Sequence, residues 1–230
     1  MTEDLVEIEP CSDGCAEILA GREHLVLMVS PGNPYFSVSR LTVLLRWAAR
    51  EMKRADVVVS DLQMTAATYL AQGRTAQVAA KKARADIRQM ASRIRRARQA
   101  AGDPGVRVSE FGDFSGHPEY QRARAYARQA ALDDPVYRSL QRQGTRDAAK
   151  ARMPGGWEPT EQQIEAGLIH SEKALPLVLN AVGIFDSAEA VTAYSRPAAL
   201  FRYFFDPVSR YRAFAGQAYI GVRVLEARRG

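Results

Sequence analysis

No run of eighteen apolar residues occurs in this chain, so a lipid-spanning helix is not expected. The acidic opening, MTEDLVEIEP, lacks the basic and apolar regions of a secretory leader, so the protein is expected in the cytoplasm. Cysteine is scarce. The two thiols, Cys11 and Cys15, sit in CSDGC with no second cysteine pair and no histidine nearby, which argues against a zinc site or a disulfide framework. There is no G-x-G-x-x-G and no Walker motif, so no cofactor is expected, nucleotide or metal. There is no G-x-S-x-G elbow either, which removes support for a common hydrolase triad. No internal repeat is visible.

What is present is enough apolar material for a sizeable core, 47% over 230 residues, read as a single domain spanning 1–230. The net charge of +6 and a pI near 9.5 point to a polyanionic partner.

The organising stretch is His24–Ser37, HLVLMVSPGNPYFS. Leu25 to Val29 is an unbroken apolar run, as in a strand covered on both faces. It ends at Ser30-Pro31-Gly32-Asn33-Pro34, and a helix is expected from about Ser37 to Arg54. Open α/β sheets bind ligands at the carboxyl ends of their strands, which makes Ser30 the leading candidate. Serine before proline and glycine is also ordinary turn chemistry, so the local sequence alone does not decide its role.

Asp56–Asp61, DVVVSD, reads as a second buried strand. It carries Val59 to its end and places Asp61 at the same edge, as a site residue or as a helix N-cap. Helix is expected from Met64 to about Gln99 with a break near Gly73. Val106–Phe111 reads as a third strand, and 119–150 as mostly helical. Thr160 and Gln163 form a capping-box pattern for another helix, which Pro176 is expected to kink or restart. Ala190–Ala193, a short helix over 198–205, and Gly216–Val224 as a last strand complete the order. This order specifies α/β with a mostly parallel sheet.

The second half of the long helical region, KKARADIRQMASRIRRARQ, sets eight cations against one acid, Asp86. Solvated faces usually mix signs. A helix so biased, with few aromatics, suits backbone phosphates rather than stacked bases.

Several stretches together resemble the cyclodipeptide synthases: VSPGNPYFS, TVLLRWAAREMKRADVVVSD, GRTAQVAAKKARADIRQMASRIRRAR, EAGL with LPL, AYSRP and GQAYIGVRV. These enzymes join the aminoacyl groups of two aminoacyl-tRNAs into a diketopiperazine. The resemblance implies a Rossmann-like α/β fold, with helices on both faces of the sheet, akin to the catalytic domain of class I aminoacyl-tRNA synthetases. It implies aminoacyl-tRNA as partner, a monomer, and Ser30 as the nucleophile that forms an aminoacyl-enzyme. Asn33 and Tyr194 match further site positions, and Arg84, Arg88, Arg93, Arg95, Arg96 and Arg98 match the helix that grips tRNA.

Four positions depart from the family pattern. Met28 replaces a glycine, His170 a tyrosine, Ala174 a glutamate, and Ser195 a histidine or proline. The tyrosine and glutamate hold the ammonium of the bound aminoacyl group, so that anchor is missing here. Glu172 cannot stand in, because two positions along a helix point about 200° apart. Asp61 is the remaining carboxylate candidate, and His170 becomes a proton-transfer or acceptor-binding residue. Two further readings follow from the departures: transfer of one aminoacyl group to a small-molecule acceptor, and a non-catalytic tRNA-binding relative.

Overall fold

The computed structural model describes residues 6–225. A six-stranded sheet forms the centre, in the order β1-β6-β5-β2-β3-β4. The strands are β1 (Val6–Pro10), β2 (His24–Val29), β3 (Arg54–Val59), β4 (Arg107–Glu110), β5 (Ala190–Tyr194) and β6 (Gln217–Val224). All pairings are parallel except β1 with β6. Every residue of β2 is buried, as its apolar run requires when helices cover both faces. The edge strand β1, within a segment that carries no strong strand signal, pairs antiparallel along β6 from Val6 opposite Val224 to Pro10 opposite Ile220.

From β2 the chain steps outward through β3 to β4, then returns to the other side of β2 with β5 and β6. The strand order therefore reverses between β2 and β5, although the two strands stay parallel. A crevice opens outside the carboxyl ends at such a reversal, because the connections leave on opposite faces. Ser30 follows β2 directly, and Tyr194 ends β5.

The helices are α1 (Asp13–Gly21), α2 (Val38–Glu51), α3 (Leu62–Leu70), α4 (Ala76–Ala100), α5 (Pro118–Asp133), α6 (Pro135–Lys150), α7 (Glu161–Phe185) and α8 (Ala199–Tyr203). The expected break near Gly73 is real: α3 ends at Leu70, and Gly73 takes φ 77°, which favours glycine. The 119–150 region divides at Asp134, which caps α6, with Pro135 at its first position. The capping box of Thr160 and Gln163 forms as expected. Pro176 does not break α7. The backbone leaves helical geometry four residues later, at Asn180 (φ −150°, ψ 44°). Its side chain is held there by Glu119 at 2.8 Å and by the Gly183 amide at 3.1 Å.

By length and composition α7 is apolar enough to cross a membrane. It is a core helix instead: Leu175, Leu177, Val178 and Leu179 are wholly buried, and it packs on α3, α5 and α6.

At the opposite, amino-terminal end of the sheet, Asp56 is buried within a charged cluster. His24 Nε2 lies 2.8 Å from its carboxylate, Arg54 Nε 3.2 Å and Arg107 Nε 3.0 Å. Three adjacent parallel strands are thereby joined through one carboxylate.

Candidate active site

Ser30 is buried at the end of β2, with 8% of its surface exposed. The Tyr194 hydroxyl donates to Ser30 Oγ at 3.1 Å, and the Asn33 side-chain amide donates to the Tyr194 hydroxyl at 3.2 Å. Asn33 is itself fixed, since its side-chain oxygen accepts from the Tyr35 amide at 2.9 Å and its own N–H bonds the Ser30 carbonyl. Asn33 and Ser30 together use both roles of the Tyr194 phenolic oxygen, which accepts from the first and donates to the second. Ser30 Oγ accepts, so its own proton is left to donate toward an incoming group.

Beneath Ser30 a cavity of about 220 Å³ runs between α3, α6 and α7. Met28, Met64, Phe111, Leu200 and Phe201 supply apolar wall, and Ala71, Gly144, Ala148 and Gly167 keep it open. Gly167 has no room for more: a Cβ there would come within 2.6 Å of Thr145 and 2.9 Å of Ala71. Wall hydroxyls are turned to the backbone, Thr68 to Thr65, Thr145 to Gln141 and Ser171 to Leu168. The wall holds no carboxylate, and Arg152 joins it from the exposed side.

Of the residues expected at the site, Ser30, Tyr194, Met28, His170 and Ala174 line this cavity. Met28 occupies the floor two residues before Ser30, and Ala174 presents only a methyl. His170 Nδ1 lies 3.2 Å from the Met64 carbonyl, so Nδ1 carries the proton and Nε2 is the acceptor. Burial lowers the His170 pKa below its ordinary value of 6.5, with the nearby Arg152 charge adding to the effect. The ring is neutral at physiological pH.

The other expected residues lie elsewhere. Asn33 is behind Tyr194 and supports it. Ser195 is buried beside Tyr194 and is not part of the cavity wall. Val59 instead lines a groove between α4 and β4. Asp61 is not available as an ammonium anchor. One of its oxygens caps α3 by accepting from Met64 N at 2.9 Å, and the other pairs with the Lys173 ammonium. Sequence reading had no hold on Lys173, whose partner lies 112 positions away.

Helix α4 buries a narrow apolar seam of Ala79, Ala83, Met90, Ile94 and Ala97. Arg84, Arg88, Arg95 and Arg96 are exposed on the other side. Arg93 turns its guanidinium to the Phe36 carbonyl at 3.4 Å, and Arg98 is held by Asp103 at 2.6 Å. The arginines of α6 are partly committed: Arg142 and Arg146 pair with Glu161 at the start of α7. Among the described residues no three His, Cys, Asp or Glu side chains gather as a metal site.

A family model of cyclodipeptide synthases matches residues 6–224. The cyclo(L-leucyl-L-phenylalanyl) synthase of Streptomyces noursei is 28% identical over 206 residues, covering 89% of this chain and 86% of the relative. A Mycobacterium tuberculosis structure, presented as showing that cyclodipeptide synthetases are related to type I tRNA synthetases, superposes with TM-score 0.84. The identity is 24%, with 98% of this chain and 96% of that one covered. A second fold neighbour is the cyclodipeptide synthase of Candidatus Glomeribacter gigasporarum bound to Phe-tRNAPhe. It has a TM-score of 0.54 at 12% identity and covers 90% of each chain.

Proposed function

This chain belongs to the cyclodipeptide synthase family, and from that premise we propose that it moves an aminoacyl group from tRNA onto Ser30 and then to a second aminoacyl-tRNA. The observation that carries this reading is the ordered chain Asn33 to Tyr194 to Ser30, which leaves the serine proton free beside a largely apolar cavity.

In the first step Ser30 Oγ attacks the ester carbonyl of an aminoacyl-tRNA. The terminal ribose oxygen leaves and recovers the serine proton through its neighbouring hydroxyl, giving a seryl ester and free tRNA. An ester is already activated, so no strong protein base is needed. Tyr194 stays protonated and keeps Oγ oriented by its hydrogen bond. In the second step the amine of another aminoacyl-tRNA attacks the seryl ester, forms an amide and releases Ser30. Closure of the ring then expels the second tRNA.

The attacking amine must shed a proton. His170 Nε2, neutral and unprotonated in the cavity, is the acceptor we assign. The exposed arginines of α4 hold the tRNA backbone, as their one-signed charge and lack of aromatic neighbours on the helix favour. The cavity suits a sizeable uncharged side chain. A 150 Å³ apolar cavity takes up benzene, and this one is larger. We place the reaction in the cytoplasm, where charged tRNA is found.

The carboxylate-free wall favours a second reading, in which the seryl ester is passed to a small-molecule amine or hydroxyl. One experiment separates the two. The protein is incubated with bulk aminoacyl-tRNA, and the intact protein and the released products are both weighed by mass spectrometry. An adduct on Ser30 with diketopiperazine release supports the first reading. An adduct discharged only when another amine is added supports the second. Absence of any adduct removes both.

A further inference from the structure

Any aminoacyl ester delivered to Ser30 carries an α-amino group whose ordinary pKa is about 7.7 to 8.0, so much of it arrives as ammonium. The cavity wall offers it no carboxylate, and Asp61 is already neutralised by Lys173. The remaining question is whether a carboxylate approaches the Ser30 turn from outside the cavity.

One does. Asp86, the single acid in the cationic half of α4, is half-buried and faces the turn. A Cβ built on Gly32 would fall 2.6 Å from Asp86 Oδ2 and 3.5 Å from the Tyr69 hydroxyl. Gly32 is two residues from Ser30 and takes φ 75°, so glycine is favoured by conformation, and its missing side chain leaves room for Asp86. The Tyr69 hydroxyl donates to Asp86. Burial, then the bond to Asp86, pushes the Tyr69 pKa up to about 12, so the phenol keeps its proton and fixes the carboxylate.

Neither residue lines the cavity itself, and Arg152 connects the pair to its wall. Arg152, a cavity-wall residue, acts electrostatically on both Tyr69 and His170 and donates to Thr68, next to Tyr69. The pair also draws a cation already, since the Lys82 ammonium stands 5.7 Å from the centre of the Tyr69 ring.

Building on the Ser30 reading above, we propose that Asp86, held by Tyr69 against the Gly32 turn, binds the α-ammonium of the aminoacyl group delivered to Ser30. The acceptor amine, which must be neutral to attack, is handled separately by His170. Asp86 is thus a binding residue contributed by the tRNA-gripping helix, and it couples seating of the tRNA to seating of its amino acid.

The test compares two pools of the same RNA: bulk aminoacyl-tRNA, and that material after nitrous acid has converted its α-amino groups to hydroxyls. The rate of Ser30 adduct formation is read by mass in single turnover on the full chain. The unmodified protein should acylate about tenfold to a hundredfold faster from the amino pool, the scale of one charge-assisted hydrogen bond. Asp86→Asn should slow only the amino pool and bring the two rates together, while Asp86→Glu should keep most of the preference. Tyr69→Phe, which leaves the carboxylate but frees it, should lower the preference partway and serves if Asp86→Asn does not fold. Equal rates in the unmodified protein overturn the proposal, as does a parallel fall of both rates in the variants. If neither pool forms an adduct, the Ser30 reading fails and the ammonium site falls with it. An adduct without amino preference removes only the ammonium site.

Discussion

The Tyr194 hydroxyl donates to Ser30 Oγ at 3.1 Å across a sequence separation of 164 residues. The contact exists because β5 lies beside β2, so the ends of two strands far apart in the chain meet at the sheet reversal. Tyr194→Phe removes this donor and the acceptor for Asn33 together. Adduct formation on Ser30 should slow about tenfold, the scale of one neutral hydrogen bond, with tRNA affinity unchanged. Ser30→Ala should abolish the adduct and the product while tRNA still binds. A Ser30→Ala protein that turns over at the parental rate rejects the covalent route.

The arginines of α4 differ in their availability. Arg95 and Arg96 are exposed, whereas Arg93 already touches the Phe36 carbonyl. Changing the three together to alanine should weaken tRNA binding without altering preference among tRNA sequences. The slope of log K against log salt should become shallower by about 0.7 to 0.9 for each phosphate that the variant no longer neutralises. A filter-binding series from low to high salt measures it, and an unchanged slope would make this face merely solvated.

His170 gives a pH signature. Its folded pKa is depressed below 6.5, mainly by burial, so the unfolded chain binds the proton more readily. The stability it contributes is present above pH 6.5 and is lost as pH falls toward the folded value. Discharge of the seryl ester should decline lower down, as pH falls through the folded value and Nε2 becomes protonated. His170→Ala should slow discharge more than adduct formation and flatten that acid limb. Rapid-quench assays that follow the two steps separately provide the check. If both steps fall equally, His170 only packs.

Asp56 supports the site from the far end of the sheet. It is 2% exposed and takes contacts from His24, Arg54 and Arg107. Asp56→Ala leaves buried His24 without its partner, while Arg54 and Arg107 can turn to water, and should cost about 1 to 3 kcal/mol. Urea denaturation should show the midpoint falling with little change in slope. Asp56 is remote from Ser30, so acylation by the folded fraction should be preserved.

The sequence by itself determined the α/β class, the buried strand β2, the capping box of α7 and the cationic face of α4. Each is a local property. An apolar run, a helical charge bias or a cap pattern acts within a few residues, so its spacing can be read directly. The family resemblance added Asn33 and Tyr194, and the structure joins both to Ser30 in one hydrogen-bonded chain. Only the tertiary structure decided that Asp61 is spent on Lys173, that Val59 faces a different groove, and that Asp86 reaches the Gly32 turn with Tyr69. It also moved the break in α7 from Pro176 to Asn180, where Glu119 holds the side chain from another helix. These are contacts between residues tens of positions apart. Their existence depends on which strands neighbour each other and which faces of packed helices meet, and a linear pattern does not encode that.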